Sequence, residues 1–154
     1  MGHLTARDGV QDRELRNHHV TNTAQVFLTR GQVRGGITDG ITTAGAITYT
    51  VDQMFSGLTK RNCNGASRSD SVPTPAAMIA GLPGAVIGTC FEWVLKNTSP
   101  AAETITIVAP AGVFLSGTMT IPQLNAKRFR VEVTNATPGA EAYTLDAVQA
   151  ASAY

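Results

Sequence analysis

The chain has 154 residues, of which 15% are charged, with 12 Lys and Arg against 11 Asp and Glu for a formal net charge of +1. A length of this order suits one domain around one core, and the shortage of charge suits strands and turns better than solvated helices. The charge balance speaks against a surface dedicated to nucleic acid or to an anionic membrane, because such surfaces gather many Lys and Arg on one face.

No apolar run approaches the roughly 20 residues that span a bilayer, and the N-terminal stretch lacks the apolar centre of a signal peptide. The expectation is therefore neither a membrane segment nor a secretory route. Cys63 and Cys90 belong to no C-x-x-C pair and are expected as free thiols of a reducing compartment. Ala6 stands where a myristoylation signal needs Ser or Thr, and the sequons that open at Asn97 and Asn135 read as turns.

Residues 1–34 hold five arginines, three acids and all three histidines, and their hydrophobic residues occur singly without a sustained period. That composition predicts an extended N-terminal arm, residues 1–40, with a short helix over 12–18 and a small strand or peg at Val26, Phe27 and Leu28. The peg is suited to docking on a neighbouring subunit, and Arg13, Arg16 and Arg30 are candidate contacts with the same partner. Gly31, Gly35, Gly36 and Gly40 punctuate the text that follows, which leaves residues 41–154 as the folded domain.

From Ile41 onward strand language dominates. Ile47, Tyr49 and Val51 alternate with Thr48 and Thr50, the period of a half-buried strand. Thr50 and Gln53 have capping-box spacing, which predicts a turn of helix with Met54, Phe55 and Leu58 as its apolar face. Residues 62–71 read as a polar surface loop. Thr74 as N-cap, Pro75 at the first helical position and a stop at Gly81 predict a helix of about two turns. The glycine-bearing run of residues 81–89 lacks the Lys that a phosphate loop needs and reads as a buried turn.

Three folds of the C-terminal half each set apolar residues opposite apolar residues. A fold about residues 98–102 places Trp93 opposite Ile107 and Leu95 opposite Ile105. A second, about residues 122–126, places Met119 opposite Val131 and Ile121 opposite Phe129, with Arg128, Arg130 and Glu132 on the wet face. A third, about residues 135–140, places Val133 opposite Tyr143 and Val131 opposite Leu145. The sum is an antiparallel meander with one oily face, which a second sheet or a neighbouring subunit must cover. The expected fold is all-β: an antiparallel, jelly-roll-like β-sandwich with one or two short helices and the extended arm.

Four strings carry a resemblance: Gly88-Thr89-Cys90-Phe91-Glu92-Trp93-Val94-Leu95-Lys96-Asn97-Thr98, Glu103-Thr104-Ile105-Thr106-Ile107, Gly117-Thr118-Met119-Thr120-Ile121 and Arg128-Phe129-Arg130-Val131-Glu132-Val133-Thr134-Asn135. With Tyr49-Thr50-Val51 and the Thr74-Pro75-Ala76-Ala77 helix start upstream, the chain resembles a β-rich module of minor capsid, decoration and fibre-head proteins of tailed phages and large DNA viruses. The resemblance covers residues 47–145. It implies a virion structural protein, a homotrimer without enzymatic activity or cofactor, assembled in the host cytoplasm and bound to the major capsid protein or other virion proteins. It carries no site residues over to this chain. The arm fits that role independently, since extended termini reach between subunits and order on contact. Two other readings stay open. One is a fibre or spike head that holds a host receptor or glycan on loops such as residues 60–71 or 110–116; the other is a small hydrolase or lyase.

Catalytic groups are hard to assemble from these residues. A nucleophilic triad needs a histidine beside Ser or Cys, and His3, His18 and His19 all fall in the arm. His18 and His19 are sequence neighbours, which rarely point at one metal, and a third ligand is missing nearby. A glycosidase needs two carboxylates facing one cleft, whereas Glu92, Glu103, Glu132, Glu141 and Asp146 mostly alternate with core positions and so point to solvent. Trp93 shares the parity of Phe91 and Leu95 and is expected in the core rather than against a sugar. Lys127, Arg128 and Arg130 form a small basic cluster that either pairs with Glu132 and its neighbours or grips an acidic patch on a partner shell. No catalytic, cofactor or metal site is expected.

Overall fold

The computed structural model describes residues 38–148 and 152–153. The contacts expected of Arg13, Arg16, Val26, Phe27, Leu28 and Arg30, the helix expected over residues 12–18 and the three histidines lie outside the described residues. Among those described are ten strands and two short helices: β1 (Thr38–Ile41), α1 (Val51–Phe55), β2 (Leu58–Arg61), β3 (Arg68–Ser71), α2 (Pro75–Gly81), β4 (Cys90–Asn97), β5 (Ile105–Val108), β6 (Val113–Ser116), β7 (Thr120–Ile121), β8 (Asn125–Asn135), β9 (Ala142–Ala147) and β10 (Ser152–Ala153).

Both helices begin where their capping residues direct. Thr50 Oγ1 accepts from Gln53 N at 3.1 Å while Gln53 Oε1 accepts from Thr50 N at 2.9 Å, which closes the capping box of α1. Thr74 Oγ1 accepts from Ala77 N at 3.3 Å, and Pro75 opens α2. Gly81, the last residue of α2, does more than stop the helix. A Cβ there would lie 2.8 Å from Cβ of Val51, so a larger residue would push the end of α2 off the start of α1. Leu58 is not on the apolar face of α1 but in β2, because Gly57 at φ 92° turns the chain after five helical residues.

The strands make two sheets. The larger runs β1-β2-β4-β8-β9-β6, with β10 beside the start of β8, and the smaller runs β3-β5-β7. The chain is largely β, but its pairing is mixed rather than antiparallel throughout. Parallel pairs join β1 to β2, β2 to β4, β3 to β5 and β6 to β9. Antiparallel pairs join β4 to β8, β8 to β9 and β5 to β7. Parallel neighbours need long connections rather than tight hairpins, so consecutive strands are often not partners here.

That explains the fate of the three expected folds. The third forms residue for residue: Val131 faces Leu145 and Val133 faces Tyr143. The first does not form, because β4 lies between β2 and β8 while β5 lies between β3 and β7 in the other sheet. Trp93 pairs with Phe129 and not with Ile107. The second fails likewise, since Ile121 on β7 pairs with Ile105. Alternation specifies which face a residue takes, and one apolar face matches another equally well.

Two shorter readings also change. Arg68–Ser71 is strand β3, so the polar loop shrinks to residues 62–67. Ile47 and Tyr49 form no strand of their own. Tyr49 N donates to Ser71 O at 2.9 Å and Ser71 N to Ile47 O at 2.8 Å, a single parallel bridge beside β3, and Val51 already belongs to α1.

One buried cluster draws on both sheets and both helices. Trp93, Leu95, Phe129, Val131, Tyr143 and Leu145 come from the larger sheet, Ile105, Ile107 and Ile121 from the smaller, and Met54 and Met78 from the helices. Trp93 is fully buried, stacked on Phe129 with centroids 5.3 Å apart and edge-on to Tyr49 at 5.1 Å. Its Nε1 donates to Thr59 Oγ1 at 2.9 Å, so the indole is satisfied inside the core.

Candidate functional site

Polar side chains divide between a set locked inside the fold and a set on the outward face of the larger sheet. Burial alternates along β2, which turns Thr59 and Arg61 inward and leaves Leu58 and Lys60 half-buried. A buried guanidinium is costly unless its donors are used. Arg61 Nε donates to Asp70 Oδ2 at 3.0 Å, Nη1 to Thr43 O at 2.7 Å and Asn62 O at 2.9 Å, and Nη2 to Gly45 O at 2.7 Å. Asp70, on β3 and also fully buried, accepts from Tyr49 Oη at 3.0 Å and from Ile47 N at 3.0 Å. Burial, reinforced by the Asp70 charge, pushes the Tyr49 hydroxyl far above the ordinary tyrosine value, so it keeps its proton and donates. The triad joins the larger sheet to the smaller and holds the loop of residues 42–47. No member reaches solvent to act on a substrate.

Asn97 is a second pin. Its Nδ2 donates to Glu103 O at 2.9 Å and Ile121 O at 3.1 Å, and its Oδ1 accepts from Ser99 N at 3.0 Å. Ser99 Oγ in turn accepts from Cys63 N at 2.8 Å. Lys127 is the third. It is buried, its Nζ donates to Thr118 O and to Thr120 O, and desolvation lowers its pKa. The expected basic cluster therefore splits: Lys127 faces inward, whereas Arg128 and Arg130 are exposed. Arg130 Nη2 pairs with Glu132 Oε2 at 2.7 Å, an exposed bond that contributes at most about 1 kcal/mol.

The carboxylates divide too. Glu92 is exposed and Glu132, Glu141 and Asp146 are half-buried, but Glu103 is 7% exposed and its Oε2 meets no partner. Among the described residues no group of three or more His, Cys, Asp and Glu gathers to hold a metal. Cys63 is buried and Cys90 exposed, both as free thiols.

On the outward face, Leu58, Val94, Lys96 and Ala126 line an open groove of about 280 Å³ across β2, β4 and β8. The register sets Lys60 beside Lys96 and Arg128 beside Val94 on the strands that form it. Farther along the same strands the charge is mixed: Glu92 pairs with Arg130, Arg130 with Asp146, and Cys90 with Glu132. At another edge the run of residues 81–89 is an exposed turn, not a buried one. Val86 and Ile87 are 63% and 69% exposed, and with Ala136, Thr137 and Pro138 they line a shallow hollow. Thr89 N donates to Val86 O at 2.9 Å, Val86 N to Thr89 Oγ1 at 3.0 Å and Gly88 N to Val133 O at 2.9 Å, which closes the turn that carries Val86 and Ile87.

Arg61, Asp70 and the groove were not among the candidates named from sequence. Parity held a signal for the first two. Arg61 shares its face with Cys63, and Asp70 with Val72, and all four are buried. Compared with known proteins, the chain matches no family model, no curated protein and no solved structure.

Proposed function

We propose that this chain is a virion structural protein, a capsid decoration (cement) or minor capsid component, anchored through its N-terminal arm and assembled as a homotrimer. The reading rests on the resemblance of residues 47–145 to the β-rich module of such proteins. One observation supports it above the others: the buried guanidinium, amide and ammonium of Arg61, Asn97 and Lys127 are all spent on the fold's own carbonyls and on Asp70. Interior polar groups used in that way give rigidity and a unique arrangement rather than turnover. The shared core also supports the finer picture of a sandwich, with the smaller sheet covering the oily face of the larger. The partner is then the major capsid protein or another virion protein, and the location is the virion.

Removing residues 1–34 tests the anchoring. The shortened chain is expected to keep its β-type circular dichroism and its cooperative unfolding while disappearing from purified particles. Incorporation at the normal level overturns the proposal.

A fibre or spike head that binds a host receptor or glycan is the second reading, and the exposed apolar pair Val86 and Ile87 beside Pro138 favours it. Binding of the intact protein to host cells or to a glycan array, with particle stability unchanged in its absence, selects the head over the cement.

A further inference from the structure

We infer that the outer edge of β6 receives residues 25–29 of a second copy of this chain as an added strand, so that copies are joined head to tail through their arms. The inference rests on the proposed function only for the number of copies in the assembly.

Among the described strands β6 ends the larger sheet, with β9 on one side and no strand on the other. In a parallel pair alternate residues of a strand bond its partner. Tyr143 N donates to Gly112 O at 3.3 Å, so residues 112, 114 and 116 turn toward β9 and residues 113 and 115 turn to the outer edge. Val113 N donates to Pro110 O at 3.2 Å, which leaves Val113 O and the backbone N–H and C=O of Leu115 along that edge. Soluble proteins blunt such edges with a charge, a proline or a bulge. β6 reads Val-Phe-Leu-Ser, with neither charge nor proline, and its register against β9 is regular. Its Phe114 is 64% exposed. Other outer strands are protected: β1 carries Asp39, and beside β7 the carbonyls of Thr118 and Thr120 accept from Lys127 Nζ.

The arm supplies a matching strand. Val26-Phe27-Leu28-Thr29 repeats Val113-Phe114-Leu115-Ser116 with Thr in place of Ser, and Val26-Phe27-Leu28 is the one run of three apolar residues in positions 1–34. On β6, Val113 and Leu115 pack on the core while Phe114 takes the opposite face. Set antiparallel about Phe27 and Phe114, the two segments place Leu28 beside Val113, Val26 beside Leu115 and one phenyl ring beside the other. Apolar side chains then meet on both faces, and main-chain bonds fill the edge. Donor and acceptor lie at opposite ends of the larger sheet: the chain enters it at β1, and β6 is five strand spacings away, about 24 Å. Residues 29–37, extended, span up to about 30 Å, enough to cross into a neighbour. A contact that leaves one edge and enters the other is head to tail, and it closes into a ring where its rotation divides the circle. The proposed function sets that ring at three copies.

Cross-linking of the full chain tests the inference, in a Cys90→Ser background that leaves buried Cys63 as the remaining native thiol. Copies with Phe27→Cys are co-expressed with differently tagged copies with Phe114→Cys and treated with bismaleimidoethane. A mixed dimer is expected at a yield at least tenfold above either like pair. Linkage between two Phe114→Cys copies shows β6 pairing with itself, and linkage confined to chains that carry both substitutions shows an arm folded onto its own β6. Either result overturns the inference, as does no linkage in any sample. Val26→Asp with Leu28→Asp changes only the arm. It is expected to reduce the assembly to single chains in light scattering and to speed hydrogen exchange at the Leu115 amide at least tenfold, with the amides of Trp93 and Phe129 unchanged. Retention of the assembly or of slow exchange at Leu115 overturns the inference. If the mixed dimer is absent while removal of residues 1–34 still abolishes incorporation, the strand exchange fails alone. If the mixed dimer forms and the Asp variant still joins particles, the exchange stands and anchoring through the arm fails.

Discussion

The apolar centre around Trp93 and the polar corner around Arg61 lie within one core and are stabilised by opposite means. Trp93, Phe129 and Tyr49 gain from buried area and ring contact, terms that grow smoothly with size and tolerate neighbours of similar volume. Arg61 and Asp70 gain little from area. Their burial is tolerable only because the partners are complete, so the corner works as a unit or not at all. The centre supplies stability, whereas the corner decides which loop and which sheet meet.

Breaking one half of the corner is expected to have the largest effect. Arg61→Ala or Asp70→Ala leaves an uncompensated buried charge and should cost about 3–5 kcal/mol in urea unfolding. The double replacement Arg61→Met with Asp70→Leu removes both charges and should lose less than the sum of Arg61→Met and Asp70→Leu made singly, although Tyr49 Oη and Ile47 N still lose their acceptor. If the double variant loses the sum of the single losses, the corner is not a coupled unit.

At the centre the expected effect is smaller and more graded. Trp93→Phe removes ring volume and the bond to Thr59, and should cost about 1–3 kcal/mol. Thr59 Oγ1 keeps its own donation to Gln53 O at 2.7 Å, so the change leaves no stranded donor there. A loss as large as that of Asp70→Ala would show that the centre, too, depends on its polar bond.

Alkaline pH loads both regions at once. Burial raises the hydroxyls of Tyr49, in the corner, and Tyr143, which donates to Pro73 O at 2.7 Å beside α2. Below pH 10 both folded and unfolded chains hold these protons. Above it the unfolded chain alone ionises, so stability falls as pH rises, by about 1.4 kcal/mol per pH unit for each tyrosine. Tyr143→Phe should make the fall measured by urea unfolding between pH 10 and 11 shallower by about 1 kcal/mol per pH unit, the opposing contribution of Lys127 being common to both proteins; an unchanged slope would remove Tyr143 from this account. The smallest effect is expected on the outward face, where Arg130→Ala should change stability by less than about 0.5 kcal/mol despite the 2.7 Å contact with Glu132. A larger loss in thermal unfolding would mean that the exposed face carries structural weight.

Features whose partners lie close in the chain were legible in the amino acids. The capping box of Thr50 and Gln53 and the Thr74–Pro75 start of α2 each involve groups three residues apart or fewer. The register of β8 and β9 was legible as well, because a short turn leaves few ways to place Val131 and Val133 against Leu145 and Tyr143. Parity put Trp93 inside. For the candidate basic cluster, parity placed Arg128 and Arg130 outward. Lys127 has the opposite parity and faces inward, where its buried ammonium needs the carbonyls of Thr118 and Thr120 to be tolerated.

The sequence by itself therefore determined the largely β class, both helix starts, the buried face of each long strand and one hairpin, since all of these follow from local bonds or from alternation. Tertiary structure alone decided that β4 and β5 part into different sheets, that Arg61 on β2 meets Asp70 on β3, and that Lys60 comes beside Lys96 and Arg128 beside Val94. Alternation specifies the face a side chain takes but not the strand beside it, and that choice depends on long crossovers and on satisfying buried charge.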